Sequence, residues 1–167
     1  MSLESYRESL GDHAKDIRLN LSNILGLTTL TQQQLWGTIV ACAIASKNKE
    51  FAAIVLADAA DKLSPEAINA AKAAVAVMNM NNIYYRSTHM IGKDYDKIPA
   101  NLRMTVIANP GIDKIDFEMY ALAVSAINGC DMCLRAHENT LSQHNVSKEV
   151  IQQLLRIAGI IHSAAWA

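Results

Sequence analysis

Apolar residues return every third or fourth position along most of the chain, and no stretch alternates apolar with polar residues for long enough to make a strand. Leu3, Tyr6, Leu10, Ala14, Ile17, Leu21 and Leu25 set the pattern. At 3.6 residues per turn they share one face, so the first twenty-five residues read as one amphipathic helix with a charged outer side. The expected fold class is all-α. Abundant alanine and an aromatic content of only 5% suit closely packed helices.

Local punctuation divides the rest. Thr31 to Gln34 has the form of a capping box and starts a second helix through residues 35–46. Lys47-Asn48-Lys49 interrupts it, and a third apolar stretch runs over 51–63. Ser64-Pro65-Glu66 combines a cap, a proline at the first helical position and an early carboxylate, so a fourth helix begins there and runs to Met78. Residues 79–110 carry several asparagines and two of the three prolines, which predicts two short helices near 82–90 and 101–108 with a loop at Pro99. Asn109-Pro110-Gly111 is a turn. A helix carrying residues 116–127 then breaks at Asn128-Gly129, another starts at Cys130, and Ser147 caps a last helix to about Ala165.

A shift of 83 positions lays residues 43–68 on 126–151, aligning Ala-Ile openings and Ser-x-Glu caps. This predicts a single all-α domain over 1–167 with pseudo-repeated halves at about 30–80 and 113–165. At that shift Lys47 stands opposite Cys130, Glu50 opposite Cys133 and Ile54 opposite His137. Only the second copy carries thiols.

With 167 residues, 51% hydrophobic and 19% charged, the chain can bury a sizeable core. A net charge of −1 gives no electrostatic case for nucleic acid or an anionic membrane surface. The first twenty-five residues are charged throughout, unlike a signal peptide, and no apolar run is long enough to span a bilayer. A cytoplasmic location is expected. There, three cysteines make a poor disulfide framework, and a CxxC pair points to catalysis or metal binding.

That pair is Cys130 and Cys133, followed by His137. Spacings of three and four put all three on one helix face, at an N-terminus that favours thiolates. Thiols so spaced have Cβ atoms about 5–6 Å apart and can close a disulfide after a modest adjustment. His137 can move the proton that thiol–disulfide chemistry requires near neutral pH. Glu118 joins them only if the chain reverses at Asn128-Gly129, because in one unbroken helix it would lie about 18 Å from Cys130. Its position in a first turn is equally explained by the helix dipole.

Zinc is the competing reading, but three ligands on one helix with no second pair fit a structural site poorly. Inert burial is the other, and it suits Cys42 in its alanine-rich run better than the polar surroundings of Cys130 and Cys133. His13 and His144 read as solvated, His89 lies in the irregular middle, and His162 belongs to the last helix.

The segments AKDIRLNLS, QLWGT, MNMNNIYYR, LRM with IANPGI, and AVSAINGC with CLRAHENTL resemble the AhpD-type alkyl hydroperoxidases of the carboxymuconolactone decarboxylase-like group, over nearly the whole chain. That resemblance implies a homotrimeric, cytosolic antioxidant enzyme with no bound cofactor or metal. It implies that Cys133 becomes the sulfenic acid, that Cys130 donates a proton and closes the disulfide, and that Glu118 and His137 relay protons. It further implies exchange at Cys130 with an AhpC-type peroxiredoxin, with dihydrolipoamide on a lipoylated acyltransferase as the external dithiol. Helix position favours Cys130 as the more acidic thiol and proximity to His137 favours Cys133; the family assigns Cys133. One position departs: Met132 stands where close relatives usually carry histidine. The expected activity is thiol-dependent reduction of alkyl hydroperoxides and hydrogen peroxide. The alternatives are an electron-transfer adaptor with little peroxidase activity of its own and a structural metal-binding helical protein.

Overall fold

The computed structural model describes residues 1–167, the side chain of Asp96 excepted, and the described residues form nine α-helices and no strand. They are α1 (Leu3–Ser9), α2 (Lys15–Leu25), α3 (Gln32–Ala45), α4 (Lys49–Ala59), α5 (Pro65–Ile91), α6 (Thr105–Ala108), α7 (Lys114–Asn128), α8 (Asp131–Gln143) and α9 (Lys148–Ala164). Local chemistry explains most of the boundaries. Thr31 and Gln34 close a full capping box on α3, while Asn48, Ser64 and Ser147 each accept a backbone N–H at the heads of α4, α5 and α9.

Helices α3 and α7 lie at the centre, packed on each other, with α5 and α9 against both. The two central helices α3 and α7 are apolar nearly all round, as a helix surrounded by others must be. From Asp116 to Ser125 every residue of α7 is buried except Glu118. The buried Asp116 carboxylate is held by the side-chain amides of Gln33 and Gln34, at 2.7 and 2.9 Å, so the polar ends of α3 and α7 satisfy one another.

Three expectations change. The N-terminal segment is two helices: Leu10 and Gly11 are extended, a 3₁₀ turn follows at Asp12–Ala14, and Arg18 donates to the Leu10 carbonyl at 3.1 Å. The bend lets α1 rest on α4, where the Leu3 N–H reaches Asp58 at 3.1 Å, while α2 runs along α9. One straight helix could not bury both faces.

Helix α5 does not stop at Met78 but continues unbroken to Ile91, replacing the expected separate helix near 82–90. Asparagine weakens helices by competing for backbone hydrogen bonds. Here those side chains face α7 instead: Asn128 donates to Asn79 and Asn82, each at 3.0 Å, and Asn82 donates to Ser125 at 2.9 Å. Arg86 adds a hydrogen bond to the Asn128 carbonyl. The expected helix over 101–108 shrinks to the single turn of α6, preceded by a 3₁₀ segment at Lys93–Lys97.

The caps also shift the comparison between the two pseudo-repeated halves by one position. Asn48 and Cys130 are both N-caps, each accepting the N–H three residues on, from Phe51 and Cys133. Asn48, Phe51 and Val55 therefore correspond to Cys130, Cys133 and His137, in place of Lys47, Glu50 and Ile54. No described helix is long and apolar enough to cross a membrane.

Candidate functional site

The site is built where α7 turns into α8. Gly129 takes a left-handed conformation at φ +67°, which an L side chain resists, and it reverses the chain within two residues. Cys130 is then the N-cap of α8 rather than part of its first turn, and its sulfur accepts the Cys133 N–H at 3.3 Å. A disulfide joins Cys130 to Cys133, with Cα atoms 5.3 Å apart. Cys130 is fully buried, whereas Cys133 keeps 7% of its surface.

Chain reversal brings Glu118 back alongside α8. Its carboxylate lies 2.6 Å from Nδ1 of His137, and the two side chains are only 13% and 11% exposed. The other ring nitrogen, Nε2, is 3.2 Å from the thioether sulfur of Met78 on α5. A thioether can only accept, so this contact is a hydrogen bond in the tautomer that carries the Nε2 proton, and on the other side the ring shares a short hydrogen bond with Glu118. The geometry makes His137 and Glu118 a hydrogen-bonded pair, shielded from solvent, one turn from Cys133.

A cavity of about 310 Å³ opens onto this group, lined by Met78, Asn81, Tyr85, Met132, Cys133, Ala136 and His137. Cys133 is the cysteine on its wall. Across Tyr85 and Met132 lies a second depression, with Tyr84, Thr88, Tyr95, Ile98, Pro99 and Ala100. Met132 thus stands between two concave surfaces, half-buried.

All four residues singled out in the sequence meet here: Cys130, Cys133, His137 and Glu118. Met78, Asn81 and Tyr85 were not singled out. Their spacing of three and four was visible in MNMNNIYY, but it carries weight only once α5 is known to continue through the asparagines. Cys42 is remote in character: it is fully buried and free, and burial pushes its thiol well above the ordinary range. His89 stands 3.6 Å from Asp131 at the head of α8, His162 bonds Ser46 at 3.1 Å, and His13 and His144 are exposed. Among the described residues no three His, Cys, Asp or Glu side chains gather as a metal-binding group.

Fold and site together define an all-helical thiol–disulfide protein, and residues 93–167 match the carboxymuconolactone decarboxylase family. The chain is 53% identical over 168 residues to alkyl hydroperoxide reductase AhpD of Brucella abortus, covering 100% of this chain and 96% of that protein. It is 50% identical over 165 residues to the protein of the same name from Gluconacetobacter diazotrophicus, covering 99% and 91%, and 50% identical over 167 residues to that of Rhodococcus erythropolis, covering 100% and 93%. The chain belongs to the AhpD family within this carboxymuconolactone decarboxylase-like group.

Proposed function

We propose that this oxidoreductase reduces alkyl hydroperoxides and hydrogen peroxide through the Cys130–Cys133 pair, and that it passes electrons to a peroxiredoxin of the AhpC type. The observation that carries the reading is the placement of Cys133 on the cavity wall, one helical turn from a largely shielded His137–Glu118 pair. In the reduced enzyme the Cys133 thiolate attacks the terminal peroxide oxygen, the O–O bond breaks, and the departing alkoxide takes a proton from the Glu118–His137 pair. Cys133 is left as a sulfenic acid. Cys130 gives up its own proton to the Glu118–His137 pair and its thiolate attacks the sulfenic sulfur; the S–O bond breaks, the hydroxide leaves as water with that proton, and the disulfide forms.

An external dithiol, such as dihydrolipoamide on an acyltransferase, resets the pair. In the present conformation an incoming thiolate reaches the sulfur of Cys133, because Cys130 is fully buried. Cys130 then leaves as a thiolate capped by the Cys133 N–H. Exchange at Cys130 itself requires the first turn of α8 to open.

The test is hydroperoxide consumption by the purified protein with dihydrolipoamide, with and without a peroxiredoxin. Turnover without the partner, abolished in Cys133→Ser and retained in Cys42→Ser, is expected. Turnover only with the partner would make the protein an adaptor, and activity surviving in Cys133→Ser would remove the site altogether. A homotrimer belongs to the same reading. It is supported by the exposed Met80, Ile83, Met90 and Ile91 on the outer side of α5, and a monomeric mass by light scattering would exclude it.

A further inference from the structure

One buried polar side-chain atom among the described residues has no hydrogen-bond partner: Oδ1 of Asn81, a residue that lines the cavity. The residue is 5% exposed, and its amide orientation is set by Met104, whose thioether accepts from Nδ2 at 3.0 Å. A thioether has no proton to give, so the oxygen is the free end. The neighbouring Asn82, one position along α5, has both ends of its amide engaged by Ser125 and Asn128. An unsatisfied buried acceptor destabilises a fold unless something else uses it.

We propose that Asn81 is the hydroperoxide-orienting residue: a small turn of its side chain brings Oδ1, otherwise sealed from solvent, into the cavity, where it accepts the terminal O–H of the substrate and holds the O–O axis toward the sulfur of Cys133. This rests on the peroxidase reading above and adds the residue that recognises the –OOH group. During attack the terminal oxygen keeps its hydrogen and becomes the sulfenic acid oxygen, so an acceptor at that hydrogen stays engaged from ground state to product. The leaving oxygen lies at the other end, where a donor is needed, and His137 with Glu118 supplies one. The remaining walls, Met78, Tyr85, Met132 and Ala136, are apolar or aromatic and suit an organic substituent. Asn81 therefore reads the part common to all hydroperoxides, while the walls read the alkyl group.

The test separates the two half-reactions. Reduced protein is mixed with tert-butyl hydroperoxide, cumene hydroperoxide or hydrogen peroxide and quenched by thiol alkylation; separately, the oxidised protein is reduced with dithiothreitol. Asn81→Leu, close in volume, is expected to slow oxidation by all three peroxides by a similar factor, about three- to tenfold, corresponding to one lost hydrogen bond. It leaves the preference among peroxides and the dithiothreitol step unchanged, and its melting temperature does not fall. Asn81→Thr restores an acceptor and recovers part of the loss; it also serves if the leucine variant does not fold. Oxidation as fast as wild type, or an equal loss in the dithiothreitol step, overturns the assignment. If wild-type reduced protein ignores all three peroxides, it is the peroxidase reading that fails.

Discussion

Gly37 sits in the middle of α3 facing α7, and a methyl group added there would lie 2.1 Å from Oη and 2.2 Å from Cζ of Tyr120. Ordinary contact begins near 3.4 Å, so Gly37→Ala forces a displacement of about 1.3 Å. The ring cannot supply it cheaply. Tyr120 is fully buried, and its hydroxyl donates to the Gln33 carbonyl at 2.9 Å. Overpacking of this kind costs about 1–3 kcal/mol or more, against about 0.5–1 kcal/mol gained from replacing glycine in a helix. The overlap with a rigid ring puts the cost at the upper end, for a net loss of roughly 2 kcal/mol and a melting temperature lower by about 4–8 °C. Because α7 also carries Glu118, pushing it away from α3 disturbs the 2.6 Å contact with His137, and peroxidase activity should fall further than stability alone explains. The assay is thermal unfolding by circular dichroism beside hydroperoxide turnover at 25 °C, in Gly37→Ala, Tyr120→Leu and the double variant. The clash predicts strong coupling: Tyr120→Leu should make the alanine tolerable, whatever it costs alone. An alanine variant as stable as wild type would refute the packing argument.

Glu118→Gln keeps the shape of the pair but supplies no acid; stopped-flow oxidation by cumene hydroperoxide should slow by about a hundredfold or more, with about 1–2 kcal/mol lost in denaturant unfolding, and wild-type rates would exclude the pair as the proton source. Met132→His places a second imidazole on the wall shared with Cys133, so the pH profile of Cys133 alkylation in the reduced protein should move to lower pH and the rate with hydrogen peroxide rise, by about tenfold at most. An unmoved profile would mean that position 132 does not act on the thiol. Cys42, whose thiol is pushed up by burial, holds its proton through the alkaline range, so iodoacetamide at pH 8.5 should leave it unlabelled in the native protein and label it in denaturant; native labelling, read by mass spectrometry, would contradict its burial.

The helix class, the caps at Thr31, Ser64 and Ser147, and the grouping of Cys130, Cys133 and His137 were legible in the sequence because each is settled within three or four residues. A cap bonds the backbone next to it, a left-handed turn needs its own glycine, and a CxxC pair carries its own spacing. The continuity of α5 was not legible. The asparagines after Met78 read locally as a break between two helices, and only partners more than forty positions away, Ser125 and Asn128, turn Asn79 and Asn82 into the inner face of one long helix. The bend at Leu10 and Gly11 has the same origin, since the hydrophobic period continues straight through it and only the separate placement of α4 and α9 requires two directions. Glu118 lies between these cases: the sequence offered a carboxylate and a reversal point, but the 2.6 Å contact depends on the turn geometry at Gly129 and on α7 being buried on every other side. Met78, Asn81 and Tyr85 entered the site entirely through tertiary structure. A cavity is a property of surfaces that meet, and no single helix encodes the wall that another will supply.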